Sequence, residues 1–342
     1  MHIPDGYLSP ATSAVMYAAC APFWYLAGRK VKKLLTARMV PVLAIFSAFA
    51  FAVQMFNVPL PGGTTGHAIG ATLLAIVLGP WAAVIGISMV LIVQALFFGD
   101  GGVTAIGANA FNMAVIGAFA GYFTYRLFAG SSPVSSRRHV IGAIAGSYLA
   151  ANLSAFITAL ELGVQPILFR SAEGIPLYAP YGLNVAISAM MAGHLLIAGP
   201  IEAIVTGLVV AYLSRSHQHL FLASRLQNTN GTVRSFRPLW VGLGIIILLT
   251  PLGLLAPGTA WGEWGAEELQ QIGLGFVPQG LERLAGLWPA PLTDYTVPGW
   301  GAELGYILSA ILGAGIIVGI IWGVSKIVNK RERKSPVERS EG

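Results

Sequence analysis

Almost all of the positive charge in this chain is confined to four short segments. Of its 20 lysines and arginines, 18 lie in residues 28–38 (Arg29, Lys30, Lys32, Lys33, Arg38), 126–139 (Arg126, Arg137, Arg138), 214–237 (Arg215, Arg225, Arg234, Arg237) and 326–342 (Lys326, Lys330, Arg331, Arg333, Lys334, Arg339). Only Arg170 and Arg283 lie elsewhere. The stretches between these segments are apolar. Basic loops alternating with apolar runs are the mark of a polytopic membrane protein whose basic side faces the cytoplasm. The composition agrees, at 55% hydrophobic and 10% charged residues, where a soluble domain carries about a quarter charged residues. The net charge of +6 is therefore a topology signal and not a nucleic-acid surface.

Nine apolar stretches are of transmembrane type, at roughly 8–27, 39–58, 67–79, 80–98, 105–127, 140–160, 181–213, 238–256 and 302–325, judged against the ~20 residues a span requires. The expected fold is all-α, a polytopic membrane protein of about nine helices with its N-terminus outside. The third stretch is short and ends at Gly79-Pro80, which suggests a half-length helix. The seventh contains Gly199-Pro200, where a kink or a division is expected. Residues 1–27 lack the basic leader of a signal peptide, and their basic residues follow the apolar run instead. The N-terminus is thus expected to stay attached, with Tyr7–Ala27 as the first helix. A single cysteine, Cys20, excludes an internal disulfide and any multi-cysteine metal site.

The chain divides into two blocks. Residues 1–220 are dense in apolar stretches with short loops; 221–237 form a polar linker, expected on the cytoplasmic side. Residues 238–342 make a two-helix module around a long outer loop rich in Trp, Pro and Gly, which suits packing at the membrane surface. The outer side is acidic, with Asp5, Asp100, Glu161, Glu173, Glu263, Glu267, Glu268, Glu282, Asp294 and Glu303. Such a face attracts cations, although most of these residues read as ordinary solvated loop positions. Two glycine-rich stretches, GGTTGHAIGA at 62–71 and GGVTAIGA at 101–108, lie on that side and lead into apolar runs. Glycine permits backbone to enter a crowded cavity.

Of six histidines, His139, His217 and His219 lie near basic residues on the inner side and read as interfacial. His2 and His67 both fall outside. A free terminus followed by histidine offers a metal three nitrogens: the Met1 amine, the His2 amide and the near nitrogen of the His2 ring. The first pair closes a five-membered chelate ring and the second a six-membered one. One corner of a square plane stays open, and His67 is the natural fourth ligand. Planar nitrogen coordination suits Ni(II) or Cu(II). Asp100, Asn109 and Asn112 are candidate supports for these ligands, the two asparagines three apart and so on one helix face. Gln54 and Gln94 could orient the histidines or bond between helices. Glu202 is an intramembrane ionisable residue with His194 eight positions earlier; the pair could serve a proton path, hold structure or face a partner.

The stretches MHIPDGYLSP, FAVQMFNVPLPGGTTGHAIGA, VLGPWAAV and VQALFFGDGGVTAIGANAFNMAVIG resemble the CbiM/NikM family, substrate-binding S components of energy-coupling factor (ECF) transporters for cobalt and nickel. The resemblance covers about residues 1–220. VPQGLERLAG and LTDYTVPGW resemble the PDGLE domain, a CbiN/NikN-like part fused to some members, with Gln279 where the signature has Asp. The resemblance implies a metal held by Met1, His2 and His67. It also implies no enzymatic activity and no cofactor, and as partners a membrane T component and two ATPase subunits. No GxxxxGK[ST] stretch is present, so the chain itself carries no ATPase loop. The implied function is ATP-driven capture of Ni2+ or Co2+ in the cytoplasmic membrane of a prokaryote. The rivals are a self-sufficient secondary transporter using Glu202 and His194, and an intramembrane metalloenzyme, for which no HExxH exists.

Overall fold

The computed structural model describes residues 1–34, 39–221 and 235–333. Most of the 221–237 linker, Arg38 and residues 334–342 of the last basic segment lie outside the described residues.

The chain is an all-α membrane bundle. Its helices are α1 (Pro10–Leu34), α2 (Val40–Gln54), α3 (Ala71–Leu78), α4 (Pro80–Val93), α5 (Ile106–Asn109), α6 (Gly117–Ala129), α7 (Arg137–Leu168), α8 (Leu183–Gly193), α9 (Gly199–Ser216), α10 (Arg237–Leu249), α11 (Ala266–Gln271), α12 (Gln279–Leu284) and α13 (Ala302–Arg333). Wider π-helical turns extend α4 (Gln94–Phe98), join α5 to α6 (Ala110–Ile116) and join α8 to α9 (His194–Ala198). The seventh apolar stretch is thus one rod, with its irregularity placed just ahead of Gly199-Pro200. A π turn inserts a residue and frees local backbone, which offsets the N–H that proline lacks.

Each of the nine apolar stretches is helical, but their number does not equal the number of long spans. Among the described residues six helices are long and apolar enough to cross a membrane. The 15 residues of α2 fall short of that length. The last turns of α1 carry Arg29, Lys30, Lys32 and Lys33. The 8 residues of α3 cover only ~12 Å. The path leading to α3 is not helical: residues 58–60 and 64–66 form a two-stranded antiparallel hairpin, β1 and β2, with Val58 opposite Gly66. Hydropathy did not suggest this hairpin.

Non-helical backbone inside a membrane bundle must be enclosed by protein and satisfied there. Thr64 to Leu78 are all buried. Gln54 Nε2 donates to the Ile69 carbonyl at 3.0 Å, and the Glu202 carboxylate accepts from the Ile69 N–H at 2.5 Å and the Gly70 N–H at 3.1 Å. Both intramembrane polar residues thus serve the segment that carries His67. His194 takes another partner, the Met190 carbonyl, at 2.8 Å.

Around this centre α6 and α7 pack closely, since a Cβ on Gly146 would come within 2.5 Å of the Gly121 carbonyl oxygen. Small residues at such crossings let helices approach where lipid supplies no hydrophobic drive. The outer faces carry large exposed apolar side chains such as Leu196, Leu208, Leu248 and Ile311, as a lipid-facing surface requires. His139 accepts or donates at both ring nitrogens, with Tyr125 Oη at 2.5 Å and the Ser132 carbonyl at 3.0 Å, which suits a structural role.

Candidate metal centre

The first eight residues are threaded into the protein. Met1, His2, Ile3, Tyr7 and Leu8 are all at most 5% exposed. Backbone bonding holds them there. The Ile3 N–H donates to Asn109 Oδ1 at 2.8 Å, and the Ile3 carbonyl accepts from Asn109 Nδ2 at 3.1 Å and from the Gly102 N–H at 2.8 Å. The Asp5 carboxylate accepts from the backbone N–H of Val103 at 3.0 Å and of Thr104 at 2.7 Å, and from the Thr104 hydroxyl. The second glycine-rich stretch is therefore the cradle of the N-terminus. Only glycine fits at Gly102, where a Cβ would stand 2.2 Å from the Asp5 nitrogen.

The C-terminal module closes over the same segment. Tyr7 Oη donates to the Trp264 carbonyl at 2.7 Å. Gly6, with φ of 89°, lies against the PQGLE turn, where an added Cβ would come 2.6 Å from the Gly280 carbonyl oxygen. Gln279 opens α12 beside that contact. The turn meets the first block through backbone, with the Gly280 N–H donating to the Leu177 carbonyl at 2.7 Å.

The N-terminal arrangement brings His2 and His67 together, with ring centroids 5.0 Å apart and planes 29° from parallel. His67 Nδ1 pairs with the Ala68 carbonyl at 3.1 Å; with the proton on Nδ1, the Nε2 lone pair is left for coordination. Burial, the nearby amino terminus and His2 together lower the His67 pKa to about 3, so this ring is neutral at any physiological pH. His2 Nε2 pairs with Gln94 Oε1 at 3.2 Å. His2 Nδ1, the nitrogen of the chelate ring, is buried and has no hydrogen-bond partner. Asp100 Oδ1 stands 2.9 Å from it, as an ion-pair contact.

Asp100 is itself braced. Its Oδ2 accepts from Tyr295 Oη at 2.5 Å and from Gln94 Nε2 at 3.4 Å. Burial would raise its pKa, but His2, His67 and the Tyr295 phenol outweigh burial and hold the carboxyl below the usual range. Tyr295 belongs to the LTDYTVPGW stretch. It and Asp294 sit in the left-handed backbone region, at φ of 59° and 53°, a strained placement that its surroundings must impose. Here the ring stacks on Phe98 with centroids 4.8 Å apart, and Ser309 Oγ donates to the Tyr295 carbonyl at 2.8 Å. Finally, Glu263 Oε1 accepts from the Met1 amine at 3.0 Å.

Of the sequence-derived residues, Met1, His2, His67, Asp100 and Asn109 meet in one place. Asn112 does not. It donates to Glu161 Oε2 at 2.8 Å and Thr158 Oγ1 at 3.1 Å, on the α7 side. The π-helical turn beginning at Ala110 changes the angular step per residue, so positions 109 and 112 no longer share a face. Glu263 and Tyr295 escaped sequence reasoning as site residues, because each reaches the pocket from roughly 200 or more positions away. Gln94, read from the sequence as a residue that could orient the histidines or bond between helices, does contact the His2 ring.

A cavity of about 610 Å³ adjoins the site, lined by His67, Asp100, Glu263, Glu268, Asp294 and Tyr295 among others. A second, of about 280 Å³, is lined by Met1, His194 and the hairpin residues Thr64 and Thr65.

A pocket of nitrogen and carboxylate donors, buried at one end of a lipid-facing helix bundle, is the architecture of a membrane metal-transport protein. The chain belongs to the CbiM family, the cobalt uptake substrate-specific transmembrane region, which matches residues 2–220; residues 237–330 match the PDGLE domain. The fused nickel transport protein NikMN of Rhodobacter capsulatus is 49% identical over 334 residues, covering 93% of this chain and 95% of the relative. The probable fused nickel transport protein LarMN of Lactiplantibacillus plantarum is 45% identical, covering 95% and 97%. A crystal structure of a truncated transition metal transporter is 57% identical, with a TM-score of 0.60, and covers 64% of this chain and 100% of its own.

Proposed function

We propose that the chain is the substrate-capture subunit of an ECF-type importer and takes Ni2+ or Co2+ at the extracytoplasmic face. The Met1 amine, the His2 amide and Nδ1, and His67 Nε2 are the four ligands. The observation that carries this reading is the buried His2 ring, its Nε2 on Gln94 and its Nδ1 facing Asp100, beside a His67 ring whose Nδ1 is already committed to the Ala68 carbonyl. The strong positive-charge asymmetry puts this end of the bundle outside. Four nitrogens in a plane favour nickel; relatives named for nickel transport stand beside a family named for cobalt uptake.

In this reading Asn109, Gly102 and Asp5 fix the chelating segment, Gln94 orients His2, and Glu202 fixes the loop of His67. A membrane T component and two ATPase subunits then convert ATP hydrolysis into inward exposure of the ion. The chain itself performs no covalent chemistry. Glu202 is bonded to the backbone N–H groups of Ile69 and Gly70, and that supports its reading as a structural anchor over a proton path.

Nickel titration of the purified full chain tests the ligand set. One residue added ahead of Met1, or His2→Ala, should reduce affinity by at least about a hundredfold and abolish the planar nickel absorption. Normal binding by the extended chain sinks the chelate. Nickel accumulation in cells with and without active ATPase partners tests the importer.

A further inference from the structure

The planar set leaves two braced carboxylates of the pocket without a part. A ring nitrogen of His2, a carboxylate oxygen of Asp100 and one of Glu263 lie within 4.8 Å of one another, and His2 Nδ1 is 2.9 Å from Asp100 Oδ1. Donors ~2.1 Å from a shared ion stand up to about 4 Å apart, so a small contraction brings all three onto one cation. The His2 side chain is 1% exposed and its Nδ1 faces Asp100, whereas the side chains of Asp100 and Glu263 are 19% and 17% exposed. The cluster therefore has one buried nitrogen at the back and two oxygens towards the adjoining cavity.

We propose that His2 Nδ1, Asp100 and Glu263 form a first-contact site for hydrated Ni2+ or Co2+, from which the ion passes to the planar nitrogen ligands. The proposal rests on the chelate reading above. A divalent ion arriving through the 610 Å³ cavity carries a shell of water oxygens. Imidazole, carboxylate and water together suit that six-coordinate state, whereas four nitrogens in a plane do not. The planar ligands are also not ready: the Met1 amine is paired to Glu263 at 3.0 Å, and the His2 amide must give up its proton. His2 Nδ1 is common to both ligand sets, so the ion can exchange oxygens for nitrogens without leaving that ring. As a Glu263 oxygen turns to the ion, it frees the Met1 ammonium, which gives one proton to water and, as the neutral amine, becomes the next ligand. The C-terminal module thereby contributes a donor to loading while remaining outside the final plane.

The test is rapid mixing of the full chain, in detergent, with Ni2+, following the planar nickel absorption. In the wild type the loading rate should saturate with nickel concentration, as a preceding complex requires. Glu263→Gln should raise the half-saturating concentration about tenfold and leave the final absorption unchanged. Glu263→Asp, which keeps a carboxylate, should recover part of the loss. Glu267→Gln, at an exposed position nearby, should match the wild type. A Glu263→Gln chain that loads as fast as the wild type, or faster because Glu263 merely shields the amine, overturns the proposal. So does a wild-type rate that stays proportional to nickel throughout. Nickel bound without planar absorption overturns the chelate reading instead; the first-contact site then stands if Glu263→Gln binds about tenfold more weakly, and falls if it does not.

Discussion

Glu202, in the middle of the chain's longest apolar stretch, takes its shortest hydrogen bond from Ile69, at 2.5 Å from the backbone nitrogen. Ile69 stands two residues beyond His67, so a carboxylate on α9 fixes the loop that presents a proposed ligand. Glu202→Gln keeps one acceptor oxygen and loses the charge. Charge-assisted bonds contribute about 1.5–3 kcal/mol, so a loss of about 2 kcal/mol in stability is expected. Nickel affinity should fall about 10–100-fold, the usual cost of disturbing a group behind a ligand. Thermal unfolding and nickel titration of the same preparation check both. Affinity unchanged in a destabilised chain separates the loop's fold from the ligand's position.

Asn109 acts on the other half of the site. Its side chain holds both the N–H and the carbonyl of Ile3, one residue after His2. Asn109→Ala should weaken nickel binding about 10–100-fold, while Asn112→Ala should leave it unchanged because Asn112 bonds to Glu161 and Thr158. Equal effects of the two substitutions count against the clamp.

Gly102→Ala places a methyl group 2.2 Å from the Asp5 nitrogen. The N-terminal segment must then lift from its cradle. Loss of nickel binding with the helix bundle intact is the expected outcome, measured by titration alongside far-UV circular dichroism.

The His67 ring, with its pKa lowered to about 3 by burial and by the nearby amine and His2, binds no proton between about pH 6 and 8, unlike an ordinary imidazole near 6.5. It therefore has no proton to release when nickel arrives in that range. Proton release per bound nickel should be the same for the wild type and His67→Ala, although the variant binds more weakly. Calorimetry in buffers of different ionisation enthalpy measures this number. A smaller release in His67→Ala would show that the ring is protonated before metal arrives.

Much of this was legible in the residues. The polytopic helical fold followed from the apolar runs between basic segments, and the short third helix from the distance between His67 and Gly79-Pro80. Met1, His2 and His67 stood out because chelate rings are a local matter, closed within two residues, and charge placement put His67 on the same side. What escaped was long-range or a matter of phase. No periodicity links Glu263 to Met1 or Tyr295 to Asp100. A single π-helical turn after Asn109 moved Asn112 to another face, and hydropathy carries no trace of such a turn. Glu202 was visible as an anomaly, but its partners are backbone N–H groups, which every residue but proline possesses and no sequence can advertise.

The threading of the N-terminal segment has a consequence for how the protein is made. The groups that settle residues 1–9 come from positions near 100–109, from Gln165, from Ala179 and from Glu263 and Trp264. A ribosome delivers these in order, so the burial of residues 1–9 must wait for most of the chain to follow. The segment nearest the proposed ligands is therefore among the last parts of the protein to settle, and any fault in the C-terminal module leaves it unclosed.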